Sequence, residues 1–216
     1  MKLVYIYLAL LVLNIFFIIN IIFSSFNNAS RKIKTFSMMI LLILVFRYMG
    51  LLFTFIVQNI EYIYDVRYLI SLNFIGVPGS LLLSYYIFLR KDGLKINFLF
   101  IILAILTFIY IGVIKFTTVS FEIHSIYGYV MKYMGEGWVY ISYIFILSLI
   151  LFICIISYGD KNSIESGIIM VMISAMIIIG ENMLVLLGFN FDHNALIGEL
   201  FSTITLYYGM KSLKKV

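Results

Sequence analysis

Along this chain, long apolar runs are separated by short polar connections. Seven runs stand out, at 3–24, 36–58, 67–89, 96–116, 138–158, 166–188 and 195–210. Each is close to the ~20 residues a helix needs to cross a bilayer core, with the last one short. Period-two alternation is missing from the runs, which argues against an outer-membrane barrel. Helices are the other way to satisfy backbone polar groups in lipid. The longest connection, 117–137, reads differently: Val119, Phe121 and Ile123 alternate with Ser120, Glu122 and His124. After a break at Ser125, Tyr127, Tyr129, Met131 and Tyr133 repeat the pattern, which predicts a hairpin-like cap over the helix ends. The expected fold is an all-α polytopic bundle of seven transmembrane helices, one membrane domain over 1–216 with no soluble output domain.

Composition sharpens the picture. Hydrophobic residues make up 64% of the chain and charged residues 12%, with a mean hydropathy of +1.13. Water-soluble domains carry about a quarter charged residues, so that class is excluded. Lys2 ahead of Leu3–Phe23 resembles a signal peptide, but the stretch is long enough to span and lacks a small-residue cleavage pattern, so it reads as the first helix. Lysine and arginine are uneven between alternate connections. Ten, including Arg31, Lys34, Arg90, Lys161 and Lys211, fall on one side, and four, Lys2, Arg67, Lys115 and Lys132, on the other. This bias predicts an external amino terminus, a cytoplasmic carboxyl terminus and a multi-pass place in the plasma membrane. The net charge of +5 is then a matter of topology, and nucleic acid is not an expected partner. The single cysteine, Cys154, lies inside the fifth run, cannot form an intrachain disulfide and reads as a packing residue.

Tyrosines gather near the run boundaries, and Trp138 joins them at the start of the fifth run. Interfacial anchoring accounts for most of this pattern, with an aromatic binding pocket as the alternative. The sole proline, within Gly76-Val77-Pro78-Gly79, predicts a kink in the third run.

Ionisable residues inside apolar runs are costly, and therefore candidates for function. Arg47 lies in the second run with Leu51, Thr54 and Gln58 on the same helical face. Glu199 lies in the seventh, with Ser202 and Thr203 one turn on. Glu181 and Asn182 adjoin in the sixth, with Ser174 and Gly188 a heptad to either side. Such faces point into a bundle, where polar groups find partners. The expected topology brings Arg47, Glu181 and Glu199 together in the outer half, Arg47 reaching upward by snorkelling. Either Arg47 neutralises one glutamate and fixes helix packing, or two carboxylates share it and one is left for a cationic or amine-bearing ligand. A proton relay is disfavoured because the inner half lacks acids. Together with Trp138 and Tyr143, the candidate ligand-binding or polar-network residues are Arg47, Thr54, Gln58, Glu181, Asn182, Glu199 and Ser202.

His124, Asp192 and His193 read as solvated loop residues, since no ligand spacing supports a metal site. Motifs for a nucleophile elbow, a zincin or a P-loop are absent, so neither an enzyme nor a cofactor is expected. The seventh run holds no lysine before Lys211, which excludes a mid-membrane retinal Schiff base.

Several features from the third run onward carry a resemblance. They are Asn73-Phe74-Ile75-Gly76-Val77-Pro78, Thr117-Thr118 followed by His124, Gly137-Trp138-Val139-Tyr140-Ile141-Ser142-Tyr143, Gly180-Glu181-Asn182, Leu187-Gly188, Asp192 and Leu200 to Gly209. In this order they resemble the seven-helix sensor region at the amino terminus of many bacterial histidine kinases and some diguanylate cyclases. The resemblance implies a receptor that takes a signal in the membrane or at its outer face and passes it through the last helix to an output domain. This sequence departs from the pattern at Lys215-Val216, with no coiled linker, phosphoacceptor helix or nucleotide-binding domain following. The expectation is therefore either a stand-alone receptor subunit that signals through a partner such as a kinase or cyclase, as a monomer or a homodimer, or a chain whose kinase portion was lost or is encoded separately. A small transporter, or the substrate-binding subunit of one, is the alternative from another class.

Overall fold

Apolar sequence with no polar periodicity leaves the backbone only its own hydrogen bonds, and every run is helical along most of its described length. The computed structural model describes residues 2–57, 60–90, 96–124, 128–134, 137–160, 162–189 and 195–213. In order, the elements are α1 (Lys2–Asn28), α2 (Arg31–Ile56), α3 (Ile60–Ile70), α4 (Asn73–Leu89), α5 (Asn97–Phe116), β1 (Val119–His124), β2 (Gly128–Tyr133), α6 (Gly137–Ser157), α7 (Glu165–Leu186) and α8 (Leu196–Ser212).

Among the described residues, six stretches are long and apolar enough to cross a membrane: Val4–Asn28, Arg31–Ile56, Glu61–Leu89, Asn97–Phe116, Gly137–Ser157 and Glu165–Leu186. The seventh run is helical as well, but α8 has only 17 residues. At 1.5 Å per residue that is about 25 Å, short of the ~30 Å of a hydrocarbon core.

The third run is not one helix. At Ser71–Leu72 the ladder tightens: Leu72 N–H donates to Leu69 O, and Phe74 N–H to Ser71 O. In a continuous helix Phe74 N–H would bond Ile70 O, so this carbonyl is released at the break. The break lies upstream of the Gly76–Gly79 segment where the sequence predicts a kink, and Pro78 sits inside α4. The glycines also serve close packing. A Cβ on Gly76 would lie 2.7 Å from Leu44 Cδ2, and one on Gly79 would lie 3.0 Å from Ile40 Cδ1, both on α2. With α2 this close, α4 becomes the central helix and also packs on α5, α6, α7 and α8. The Glu61–Leu89 stretch is 78% buried, against 44% or less for every other span.

The two strands form the expected antiparallel hairpin, with Val119 opposite Tyr133 and Phe121 opposite Met131. It lies across the ends of α2 and α3. Phe121 meets the Tyr64 ring edge-on at 5.3 Å. Gly128 has φ +74°, and a Cβ there would lie 2.9 Å from both Phe55 Cα and Thr54 O, so only glycine lets the hairpin settle on α2.

At the opposite end, Ile164 N–H donates to Phe88 O at 2.8 Å and Tyr85 Oη meets Ser157 Oγ at 2.6 Å. Arg90 Nη2 bonds Ser212 O at 3.3 Å. The core between the ends is aliphatic, with Leu44, Leu83, Leu147, Val171 and Leu206 fully enclosed. Cys154 packs within it. Phe108 and Phe116 on α5 and Phe145 and Phe152 on α6 face outward, an apolar girdle of the kind that meets lipid.

Candidate functional site

The break between α3 and α4 organises the polar centre. Arg47 is 2% exposed on α2, and its Nη1 donates to the released Ile70 carbonyl. Its Nε donates to Glu199 Oε2 at 3.1 Å, and its Nη2 pairs with Glu199 Oε1. A planar guanidinium facing a carboxylate at two points is the strongest ordinary form of this interaction. The pair ties α2 to the first turn of α8 and holds the α3–α4 break against both.

Glu181 also acts on this end of α8. Its Oε2 accepts from Gly198 N–H at 3.0 Å. That group is one of the first-turn donors of α8 that lack an intrahelical acceptor, and a carboxylate there also complements the helix dipole. The two glutamates thus act on one helix end, Glu199 from within it and Glu181 from α7. Gly198 makes this possible, since a Cβ would lie 2.7 Å from Glu181 Oε2 and 2.9 Å from Ile178 N.

A second polar chain runs deeper. Asn14, fully buried on α1, accepts at Oδ1 from Tyr48 Oη and from Thr203 Oγ1, each at 3.2 Å. One amide therefore joins α1, α2 and α8. Further along, Ser174 and Thr205 hydroxyls meet at 2.9 Å and join α7 to α8.

Between the ion pair and the hairpin lies a cavity of about 30 Å³. Arg47 forms its floor, with Ile70, Asn73 and Phe74 from the α3–α4 break. Met131 and Tyr133 of β2 roof it, and Val139, Tyr140 and Tyr143 of α6 close one side. Asn182 and Ala195 complete the wall. Tyr133 Oη bonds Ser71 Oγ at 3.2 Å, and burial pushes its phenol up to about 12. Tyr143 is 2% exposed with its ring 4.9 Å from Phe74, yet its hydroxyl finds no hydrogen-bond partner among the described residues. The same holds for Asn73 Oδ1.

Of the residues singled out in the sequence, Arg47, Asn182 and Tyr143 line this cavity, and Glu199 and Glu181 stand directly behind it. Thr54 and Ser202 are buried, but each donates to its own helix, to Leu51 O and Glu199 O. Trp138 is 46% exposed and does not line the cavity. Gln58, Asp192 and His193 lie outside the described residues. Asn14, Ile70, Asn73 and Tyr133 were not singled out. Asn14 does leave a trace, as one of two amides, with Asn20, in an otherwise apolar stretch. Among the described residues, no cluster of three His, Cys, Asp or Glu could hold a metal ion.

No protein-family model matches this chain, and no curated protein or solved structure matches it either.

Proposed function

We propose that the chain is a membrane-embedded receptor or sensor module. It detects a signal in the outer half of the bilayer, or at its outer face, and relays it through α8 to a cytoplasmic partner such as a kinase or cyclase. In this reading all seven apolar runs cross the plasma membrane, the hairpin is external, and the carboxyl-terminal lysines face the cytoplasm, as the lysine and arginine bias favours. One observation carries the proposal: the Arg47–Glu199 pair fastens the first turn of α8 directly beneath a polar cavity. A ligand that binds one arrangement of this pair better than another shifts α8 by that difference in affinity. Co-purification from native membranes in mild detergent, followed by mass spectrometry, tests the output. Recovery of a cytoplasmic signalling protein, lost in Glu199→Gln, supports the proposal; no such partner counts against it.

The α3–α4 break favours a second reading, a small transporter. Interrupted helices with released carbonyls form the substrate sites of secondary transporters. Such folds carry a matching break in a second repeat, and α6, α7 and α8 are each continuous. Uptake of labelled solutes into proteoliposomes separates the two readings, because a receptor moves none.

A further inference from the structure

We infer that the groove where the end of α1 meets the last turn of α8 holds the headgroup of an anionic phospholipid, its phosphate gripped by Lys211 and by amides of α1. The groove lies at the other end of α8 from the Arg47–Glu199 pair. The inference goes beyond the receptor reading and rests only on the chain's place in a membrane.

Three observations carry it. First, the groove interrupts an apolar surface. Asn20, Ser24, Asn27 and Asn28 share one face of α1 and line a space of about 420 Å³ with Phe23, Tyr207 and Lys211. Ile19, Phe23 and Phe26 beside them are exposed, as lipid-facing residues are. Asn20 lies about 12 Å along the helix from Asn28, the last residue of the Val4–Asn28 stretch, so the polar face climbs well into the span. Polar side chains at that level are costly unless something polar meets them. An amphiphile suits the place, its headgroup filling the polar face while its chains run on past Phe23. A free anion would shed its water beside lipid with no apolar part to compensate.

Second, the charge selects the sign. Lys211 is the only ionic side chain lining the groove, and its ammonium lies over the Tyr207 ring, 4.5 Å from the centroid. Among the described residues, the ion pairs are Arg47–Glu199 and Lys132–Glu122, so no carboxylate neutralises Lys211. Arg31, Lys32 and Lys34 open α2 just past the groove, and Arg90 bonds Ser212 O beside Lys211. A cation would find no counter-charge here, and water alone would leave the lysine without one.

Third, the donors and the space fit a headgroup. Each asparagine amide carries two N–H groups. Asn20 gives one to Phe16 O and Asn28 gives one to Ser24 Oγ, which leaves N–H groups beside the ammonium for phosphate oxygens. About 420 Å³ falls in the ~300–1,000 Å³ range of ligand sites, far above the ~30 Å³ that one water occupies. A zwitterionic headgroup would bring a second ammonium to Lys211 with no acid to receive it.

The test uses the full chain in phosphatidylcholine nanodiscs, with phosphatidylglycerol or phosphatidylethanolamine replacing the host lipid stepwise. The unfolding temperature reports binding, and native mass spectrometry counts the lipid retained. Phosphatidylglycerol is expected to raise the unfolding temperature saturably and to be retained, and phosphatidylethanolamine to do neither. Lys211→Gln should raise the phosphatidylglycerol midpoint about fivefold, the worth of one lysine at a membrane surface. Asn20→Leu should raise it about threefold, the worth of one hydrogen bond. Lys34→Gln removes a charge at the same end whose ammonium lies over Phe26, outside the groove, and should leave the midpoint unchanged. Glycerol phosphate in solution should produce no shift. The inference is overturned if phosphatidylethanolamine binds as well, or if Lys34→Gln weakens binding as much as Lys211→Gln, which would mean a diffuse basic surface only. It is also overturned if Lys211→Gln and Asn20→Leu both bind like the wild type, or if glycerol phosphate alone reproduces the shift.

Discussion

Arg47 and Glu199 are 152 positions apart, and the fold sets them face to face at two points, almost wholly removed from solvent. Removing one member strands the other's charge, a loss of about 3–5 kcal/mol in buried pairs. Arg47→Met and Glu199→Leu should each destabilise the chain on that scale. Together they should recover most of the loss, because no charge is then left uncompensated. Unfolding midpoints in a mixed-micelle denaturant titration provide the measurement, and a double variant as weak as the singles would contradict it.

At Gly198 the backbone of α8 lies close against α7 beside the Glu181 contact. Gly198→Ala would normally stabilise a helix by up to about 1 kcal/mol. Here the methyl meets Ile178 N at 2.9 Å, so the substitution should destabilise instead. Thermal unfolding of the purified protein decides the sign.

Asn14 joins three helices through one amide oxygen. Interhelical hydrogen bonds in membranes average about 0.6 kcal/mol each, so Asn14→Leu should cost about 1 kcal/mol. By contrast, the exposed Lys132–Glu122 pair on the hairpin, at 2.6 Å, should contribute little. Lys132→Ala is expected to unfold within experimental error of the wild type.

Tyr133 ties the hairpin to Ser71 at the α3–α4 break. Its phenol is pushed up to about 12 in the fold from an ordinary value of 10.0. The folded state therefore holds this proton more tightly than the unfolded chain. Its contribution to stability is complete below pH 10 and is lost as pH rises from 10 towards 12. Unfolding temperatures of wild type and Tyr133→Phe, measured across that interval, should converge from above. Parallel curves would assign the alkaline loss to other groups.

Hydropathy alone was enough to mark seven of the eight described helices, because length and apolarity suffice where the backbone has no other partner, but it passed over most of α3, whose residues 60–66 precede the third run. Alternation disclosed the hairpin, since Val119, Phe121 and Ile123 share one face of a pleated strand. The cost of burying charge picked out Arg47, Glu181 and Glu199 before their partners were known. Partner choice was a tertiary matter. Which carboxylate met Arg47 depended on where α8 began, and the Glu181 contact needed the bare backbone of Gly198 beside α7. The interruption at Ser71–Leu72 carries neither glycine nor proline. It goes with Arg47 taking the released Ile70 carbonyl, a bond between two helices that no local pattern encodes. Gly76 and Gly79, where the sequence predicts a kink, are contact surface for α2, which no local pattern shows. Sequence thus determined which segments are helices and which residues are too polar to face lipid; only the packing of those helices decided which polar groups meet, because a hydrogen bond depends on distance and direction that hydropathy does not contain.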